Sequence, residues 1–233
     1  MELPKTAAEV IYTLNDEFAY IKENYLRIRE NIERAGGARF MAVTKTVPPE
    51  KVNYSLSLGI DLIGENRVQE YLSKEKDYSP VKMHFIGHLQ TNKVKYIIGR
   101  AEMIQSVDSI PLAREIARLS GKAGIVTDIL LEVNIGAEES KSGFSPEETD
   151  SAAAEISEMS GLKVRGLMTI PPPERPSYYF GQMKKLFDDL SPKPYFDADI
   201  LSMGMSADYE TAIKCGSNLV RIGSALYGAR PKK

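Results

Sequence analysis

One lysine near the start of the chain has a setting that suits covalent chemistry on a carbonyl group. Lys45 directly follows the apolar run MAVT (41–44). If this run is a buried strand, Lys45 enters the mouth of a core, where desolvation lowers the pKa of an amine and makes it a better nucleophile towards an aldehyde. A lysine that snorkels into solvent at the end of a strand has the same sequence pattern, so position alone leaves both interpretations open.

Two serine–glycine segments towards the C-terminus have the composition of a phosphate-binding site. Residues 203–206 read MGMS, and residues 221–224 read RIGS. Glycine lets backbone amides come close to a phosphate, and the hydroxyls of Ser206 and Ser224 add donors beside a helix start. Two ordinary glycine turns are the alternative. If the segments end the last two strands of a barrel, their pairing indicates a phosphate site.

Arg221 lies in the second of these segments, between apolar residues. A guanidinium group that is buried without a partner is costly, so Arg221 requires an acceptor. A structural carboxylate and a ring nitrogen of a cofactor both meet this requirement, and both interpretations remain open.

His84 and His88 are the only two histidines of the sequence. Their spacing resembles that of a metal-binding pair, but on a strand and the turn after it the two side chains need not share a face. The sequence has no cysteine near them. We therefore expect no metal site, and we expect His84 to be a hydrogen-bonded interior or near-surface residue.

Short apolar segments alternate with helical segments from residue 39 onwards, which is typical of a parallel sheet with right-handed crossovers. An open doubly wound sheet and a closed barrel share this pattern. We predict a TIM-type (β/α)8 barrel, because the number and even spacing of the segments match it and only a short tail follows the last one. The predicted strands are 39–44, 61–64, 83–87, 103–107, 128–133, 164–169, 200–205 and 219–223.

Proline, serine and glycine mark the ends of three predicted helices. One begins at Pro48–Pro49 and ends at Gly59, and a second runs from Pro111 to Gly121. The third has Ser145 as its N-cap and Gly161 past its end.

The N-terminal 37 residues have the pattern of one long amphipathic helix. Thr6 and Glu9 fit a capping box, and Gly36–Gly37 end the pattern. We expect this helix to pack on the barrel where an eighth outer helix would lie, so that residues 1–233 form a single domain. Its apolar stripe consists of Val10, Leu14, Phe18, Ile21, Tyr25, Ile28 and Ile32.

Composition excludes several classes of protein. The net charge of −2, with 42% hydrophobic and 27% charged residues, is typical of a soluble globular chain and provides no overall basic field for nucleic acid or an anionic membrane. Cys215 is the only cysteine, so it forms neither an intramolecular disulfide nor a zinc cluster. The N-terminus lacks the layout of a signal peptide, and no window approaches a membrane span, so we expect a cytoplasmic protein.

Seven segments, in order along the chain, resemble the pyridoxal phosphate homeostasis protein family, whose fold is similar to the N-terminal barrel of bacterial alanine racemase. The sequence departs from the family pattern at Met83, where tryptophan is usual, and at Ser224, where threonine is usual; the second departure keeps a hydroxyl. The segments are MAVTK (41–45), IGENRVQE (63–70), HFIGHLQTNK (84–93), EVNIGAEESKSGF (132–144), RGLMTI (165–170), SMGMSADYETAI (202–213) and RIGSALYG (221–228).

The resemblance implies that the chain binds pyridoxal 5′-phosphate (PLP) as a Schiff base on Lys45. It further implies that Arg221 faces the pyridine nitrogen and that Asn66 lies close to the cofactor. No catalytic residue and no metal ligand is implied. The residues implied at the phosphate are Ser206, Gly223 and Ser224, and those at the ring pocket are Met203 and Met205.

Three functions are compatible with these residues. The first is a PLP-binding protein of intracellular vitamin B6 homeostasis, without catalytic turnover, which holds PLP or hands it to apo PLP-dependent enzymes; we expect a monomer. The second is a PLP-dependent amino-acid racemase. The third, independent of the resemblance, is an aldolase-type barrel enzyme with Lys45 as its Schiff-base lysine, which differs from a PLP protein in having no visible absorption.

The need for a second base weighs against the racemase. Racemisation needs a base on each face of the substrate, and alanine racemase takes its second base, a tyrosine, from a further domain of the partner subunit. Because the sequence ends at Lys233, we expect that domain to be missing, and neither Tyr209 nor Tyr227 has positional support as a substitute. Arg221 has a separate consequence: it is a donor only, so a pyridine nitrogen facing it stays unprotonated and the ring is a weaker electron sink, which disfavours transaminase-like chemistry.

Overall fold

Eight parallel strands close into a barrel in a computed structural model that describes residues 17–138 and 141–229. Each strand pairs with the next one along the chain, and the last pairs with the first. The predicted TIM-type barrel is confirmed, and each predicted strand overlaps an observed one; that residues 1–233 form one domain stays a prediction. The strands are β1 (Arg39–Val43), β2 (Leu62–Glu65), β3 (Lys82–Phe85), β4 (Met103–Val107), β5 (Thr127–Glu132), β6 (Leu162–Met168), β7 (Ile200–Met205) and β8 (Leu219–Ile222).

Helices cover the outside of the barrel. Two 3₁₀ segments, Glu75–Asp77 and Thr91–Tyr96, complete the connections on either side of β3. Among the described helices, none has the length and apolarity that a bilayer span requires. The α-helices are α1 (Ala19–Ala35), α2 (Pro49–Ser57), α3 (Val68–Lys74), α4 (Ile110–Ala123), α5 (Pro146–Ser157), α6 (Pro176–Leu190), α7 (Tyr209–Lys214) and α8 (Ser224–Tyr227).

The predicted helix ends are confirmed except at one glycine. Ser145 caps α5 in a reciprocal capping box with Glu148. The prediction that the helix from Pro111 stops at Gly121 is wrong. Helix α4 continues to Ala123 and ends at Gly124, which has φ 68°, because that is the position where the chain needs a left-handed residue.

Helix α1 packs against the last two short helices, α7 and α8. Asn24 donates from Nδ2 to the carbonyl of Leu226 in α8 at 3.0 Å, and Asn31 donates to the hydroxyl of Tyr209 in α7 at 3.0 Å. Its buried face consists of Ile21, Tyr25, Ile28 and Ile32, and it ends at Gly36 with φ 126°. The proposed capping box at Thr6 and Glu9, with Val10 and Leu14, lies outside the described residues.

Alternation along the strands separates two sets of buried side chains. Met41, Leu62 and Leu219 point into the barrel and form part of one apolar cluster there. Their strand neighbours Ala42 and Ile63 point outwards and belong to the larger core between barrel and helices. The position of a residue along its strand therefore decides whether its side chain reaches the barrel interior.

Candidate functional site

A cavity of about 300 Å³ lies at the carboxyl ends of the strands, where (β/α)8 barrels place their ligands. A wider groove of about 620 Å³ lies elsewhere, between residues 53–61 and 79–82, away from that end. The size of the first cavity is at the lower end of the range for small-molecule sites. It is lined by Val43, Lys45, Asn66, Ile86, Ile170, Met205, Ser206, Ala207, Arg221, Gly223 and Ser224.

The cavity thus brings together seven of the eight residues that the resemblance assigned to cofactor binding. Lys45, Asn66 and Arg221 come from three different strand ends, and Ser206, Gly223 and Ser224 come from the loops after β7 and β8. Apolar wall residues such as Ile86 and Ile170 had no distinguishing pattern in the sequence.

Met203 is the exception, and its assignment to the ring pocket is corrected. Ser202 points into the barrel interior, so strand alternation turns Met203 to the other side. There Met203 is fully buried in the core between barrel and helices, whereas Met205, the other methionine implied at the ring pocket, lines the cavity.

Because Gly87 has no side chain, the backbone of Asn66 lies very close to it. A Cβ atom at Gly87 would lie 2.2 Å from the carbonyl oxygen of Asn66 and 2.7 Å from its Cα. Asn66 Oδ1 is buried and has no hydrogen-bond partner among the described residues. Since buried polar atoms in folded proteins are nearly always paired, this oxygen is a candidate contact for a ligand.

Ser206 connects the two loops at the far end of the cavity. Its Oγ accepts hydrogen bonds from the amide of Gly223 at 3.2 Å and the amide of Ala225 at 3.1 Å. These amides belong to the turn into α8, and both N–H groups are directed at the position of Ser206 Oγ. An oxyanion that took the place of Ser206 Oγ as the acceptor of these amides would also meet the hydroxyls of Ser206 and Ser224.

Arg221 lies inside the barrel, with 3% of its surface exposed. Its Nη1 donates to Ser202 Oγ at 2.7 Å, and its Nη2 donates to the carbonyl of Thr169 at 2.8 Å. Burial lowers the pKa of Arg221 to about 10, so the guanidinium remains a cation at neutral pH. Its direct acceptors are thus a hydroxyl and a carbonyl, neither of them the carboxylate that one interpretation of the sequence invoked.

A chain of buried side chains continues from Arg221 down the barrel. Ser202 donates to Gln105 Oε1 at 2.8 Å, and the amide nitrogen of Gln105 lies 2.8 Å from His84 Nδ1. His84 Nε2 lies 3.5 Å from a carboxylate oxygen of Glu102 before β4. The expectation that His84 is a hydrogen-bonded interior residue is confirmed.

Gln105 and Ser202 were not predicted to belong to the site. The signal that indicates them is a polar residue in the middle of an otherwise apolar strand, in MIQSV (103–107) and ILSMGM (200–205). Such a residue inside a barrel must find a partner across it.

Two carboxylates on the opposite side of the mouth were also missed. Glu132 ends β5, and Asp108 follows β4, where its carboxylate lies 3.0 Å from His88 Nδ1. Burial raises the pKa of Glu132 to about 7, with repulsion from Asp108 acting in the same direction and attraction to Arg221 opposing it. In the described part of the chain, no group of three or more histidine, cysteine or acidic side chains has a metal-binding arrangement.

Fold and sequence together place the chain in the class of alanine racemase-like barrels. The sequence profile described as "Alanine racemase, N-terminal domain" matches residues 18–231. An alanine racemase of Clostridium difficile 630 superimposes with a TM-score of 0.73 at 17% identity, over 92% of this chain and 60% of that one, which is a likeness of fold.

Closer relatives define the family within that class. A pyridoxal phosphate homeostasis protein of Aquifex aeolicus is 44% identical over 214 residues, which cover 88% of this chain and 94% of the relative. PipY of Synechococcus elongatus, in a structure with PLP bound, superimposes with a TM-score of 0.80 at 28% identity, over 89% of this chain and 100% of PipY. The chain belongs to the pyridoxal phosphate homeostasis protein family.

Proposed function

We propose that this chain binds PLP through a Schiff base on Lys45 and serves intracellular PLP homeostasis in the cytoplasm, without catalytic turnover of its own. The observation that carries the proposal is the convergence of Lys45, Arg221 and the serine–glycine turns on one cavity of about 300 Å³. The names of the relatives and the PLP-bound PipY structure support it.

The donor set of the cavity fits each polar part of PLP. Lys45 supplies an amine for the aldehyde, and the amides at Gly223 and Ala225 with the hydroxyl of Ser206 suit the phosphate. The Oδ1 of Asn66, which has no hydrogen-bond partner in the described part of the chain, offers a further polar contact. PLP, when bound, supplies an electrophilic aldehyde and an electron-withdrawing ring.

Arg221 limits what that ring can do. The guanidinium is held by Ser202 and Thr169 and has only donors to present, so an acceptor nitrogen beside it remains unprotonated. A ring in this state withdraws electrons less strongly, which disfavours transaminase-like chemistry. Arg221 therefore weighs against transaminase-type turnover of a bound PLP, and the case against a racemase rests on the lack of a second base among the described residues that line the cavity.

The two tyrosines considered as a second base lie away from the cavity. Tyr209 is buried and its hydroxyl accepts from Asn31, whereas the hydroxyl of Tyr227 lies 2.7 Å from Ser55 Oγ. Burial raises the pKa of Tyr227 above its usual range, which keeps its phenol protonated. Among the described residues that line the cavity there is no tyrosine, which supports a protein without turnover.

Borohydride reduction tests the cofactor assignment. The protein purified with PLP should absorb visible light, lose that band on reduction and carry the pyridoxyl mass on Lys45. Lys45→Ala should show neither the band nor the adduct, and Lys51→Ala, a lysine on α2 outside the cavity, should behave like the wild type. A colourless protein that leaves Lys45 unmodified in excess PLP contradicts the proposal and favours a phosphorylated-metabolite substrate of an aldolase-type enzyme.

Turnover assays test the absence of catalysis. Amino-acid racemase or lyase activity that disappears in Lys45→Ala would contradict this part of the proposal while leaving PLP binding intact. Mixing the loaded protein with an apo PLP-dependent enzyme and following its reactivation tests delivery, and sedimentation of the loaded protein tests the expected monomer.

A further inference from the structure

Lys45 occupies the middle of a tight turn whose next residue has an unfavourable backbone conformation. The amide of Val47 donates to the carbonyl of Thr44 at 3.0 Å, which places Lys45 and Thr46 at the two central positions. Thr46 has φ 63°. A turn with positive φ at its third position normally uses glycine, and a β-branched residue is strained there.

The amide of Thr46 is held by a carboxylate from the next helix. Thr46 N donates to Glu70 Oε1, and Lys74 Nζ lies 2.5 Å from the same oxygen. Burial by itself would raise the pKa of Glu70, but the hydrogen bonds from Lys74 and Thr46 and the charge of Lys74 outweigh it, so the pKa is lowered. Glu70 is thus a carboxylate that makes a charge-assisted bond to the strained residue.

The upstream side of the turn is fixed separately. Thr44 Oγ1 donates to Glu65 Oε1 at 2.7 Å, and both side chains are fully buried. Thr46 is exposed. The hydrogen bond from its backbone amide to the side chain of Glu70 holds the downstream side of the turn. The conformation on one side of Lys45 therefore depends on a buried pair, and on the other side it depends on Glu70.

We propose that Glu70 is a positioning residue for Lys45: by holding the amide of Thr46, it keeps the turn in the left-handed conformation that aims the lysine into the cavity. Without that acceptor, Thr46 gains by relaxing to negative φ, which rotates the peptide next to Lys45. The inference rests on the proposed function, since it assigns Glu70 a role in loading PLP onto Lys45.

Removing the acceptor and relieving the strain separately tests this role. Glu70→Ala should weaken PLP loading by about tenfold, because the backbone strain at Thr46 is then no longer opposed by a hydrogen bond. Adding Thr46→Gly to Glu70→Ala should restore most of the loading, because glycine adopts the turn without help. Glu70→Gln, which keeps an acceptor, should lie between the wild type and Glu70→Ala.

Loading is measured by titration of the visible band and by borohydride trapping with mass mapping of Lys45. In the protein without PLP, amide hydrogen exchange of Thr46 should be faster in Glu70→Ala, with little change in the exchange of the core strands. Glu115→Ala removes a partly buried carboxylate paired with Arg118 on α4 and serves as the matched control, with loading unchanged.

The alternative is that Glu70 and Lys74 only stabilise α3. In that case Thr46→Gly leaves the loading of Glu70→Ala unrestored, and the inference is overturned. It is also overturned if Glu70→Ala loads PLP as the wild type does. A wild-type protein that forms no adduct on Lys45 overturns the proposed function and this inference with it, so the two failures are distinguished by the wild-type sample.

Discussion

Arg221 Nη1 donates to Ser202 Oγ over 2.7 Å, inside the barrel beneath the cavity. Because the hydroxyl of Ser202 donates its hydrogen bond to Gln105 Oε1, its oxygen is left as the acceptor for the guanidinium. The second guanidinium nitrogen is held by the carbonyl of Thr169. The face that Arg221 presents to a ligand is therefore set by residues that do not themselves line the cavity.

The first prediction concerns the hydrogen bond between Arg221 and Ser202. Ser202→Ala leaves a buried donor on Arg221 and a buried acceptor on Gln105 unpaired, which should lower the free energy of unfolding by about 1–3 kcal/mol. PLP affinity should fall as well, because the guanidinium loses its orientation. Denaturant unfolding and titration of the visible band measure the two effects.

A buried serine outside the site provides the control for Ser202→Ala. Ser120 on α4 is fully buried and lies 2.7 Å from Thr127 Oγ1, so Ser120→Ala should cost similar stability and leave PLP affinity unchanged. Equal PLP affinity in both variants would contradict an orienting role for Ser202.

The second prediction concerns the protonation of His84. The oxygen of Gln105 is occupied by Ser202, so its NH₂ faces His84 Nδ1, which must accept, and the ring proton resides on Nε2 towards Glu102. Burial lowers the pKa of His84 to about 4, although Glu102 opposes the shift. An NMR titration of the imidazole should show a neutral Nε2–H tautomer with a midpoint near 4.

Linkage gives this titration a consequence for stability. The folded pKa of His84 lies below its unfolded value of 6.5, so the stability that it contributes is present above pH 6.5 and is lost as the pH falls towards 4. The signals of the two histidines are separated with His88→Ala. A midpoint close to 6.5 would rule out the buried, neutral ring.

The third prediction concerns Glu132, whose contribution to stability changes with pH in the opposite direction to that of His84. Its folded pKa of about 7 lies above the unfolded value of 4.5, so the stability from its neutral form is complete below pH 4.5 and is lost as the pH rises through 7. Glu132→Gln mimics the neutral form. In the protein without PLP it should raise the free energy of unfolding at pH 8.5 by about 3 kcal/mol and leave it nearly unchanged at about pH 4.5.

Urea unfolding of wild type and Glu132→Gln at both pH values measures this difference. A gain of the same size at both pH values would show that packing, and not ionisation, is responsible. Asp108→Asn, which removes the repelling neighbour, should lower the pKa of Glu132 and so reduce the gain from Glu132→Gln.

The fourth prediction concerns the contact between Gly87 and Asn66. A Cβ at position 87 meets the backbone of Asn66 at 2.2 Å, and backbone atoms cannot move aside as a flexible side chain can. Gly87→Ala should therefore displace Asn66 from the cavity wall, lower the melting temperature by several degrees and weaken PLP binding.

Gly181 is the matched control for Gly87→Ala. It lies on the exposed face of α6, and a Cβ there has no neighbour within 4 Å, so Gly181→Ala should raise the free energy of unfolding by about 0.5–1 kcal/mol through helix propensity. PLP affinity should not change in Gly181→Ala. An unaltered affinity in Gly87→Ala would mean that Asn66 has no contact with the ligand.

The sequence by itself determined the strands, the barrel and most of the residues around the cavity. Each of these follows from local pattern: apolar runs of four to seven residues between helix caps, a lysine directly after the first run, and serine–glycine turns after the last two. Strand ends meet at one edge of any parallel barrel, so Lys45, Ser206 and Arg221 converge without knowledge of register.

Only the tertiary structure decided which side chains face inwards and what they touch. Met203 and Ser202 are adjacent in the chain but lie on opposite sides of β7, and a shift of one residue would exchange them. Gln105 and Ser202 are 97 residues apart and meet only because the barrel closes. The pKa of Glu132 depends on burial and on charges from two other strand ends, which no local pattern encodes.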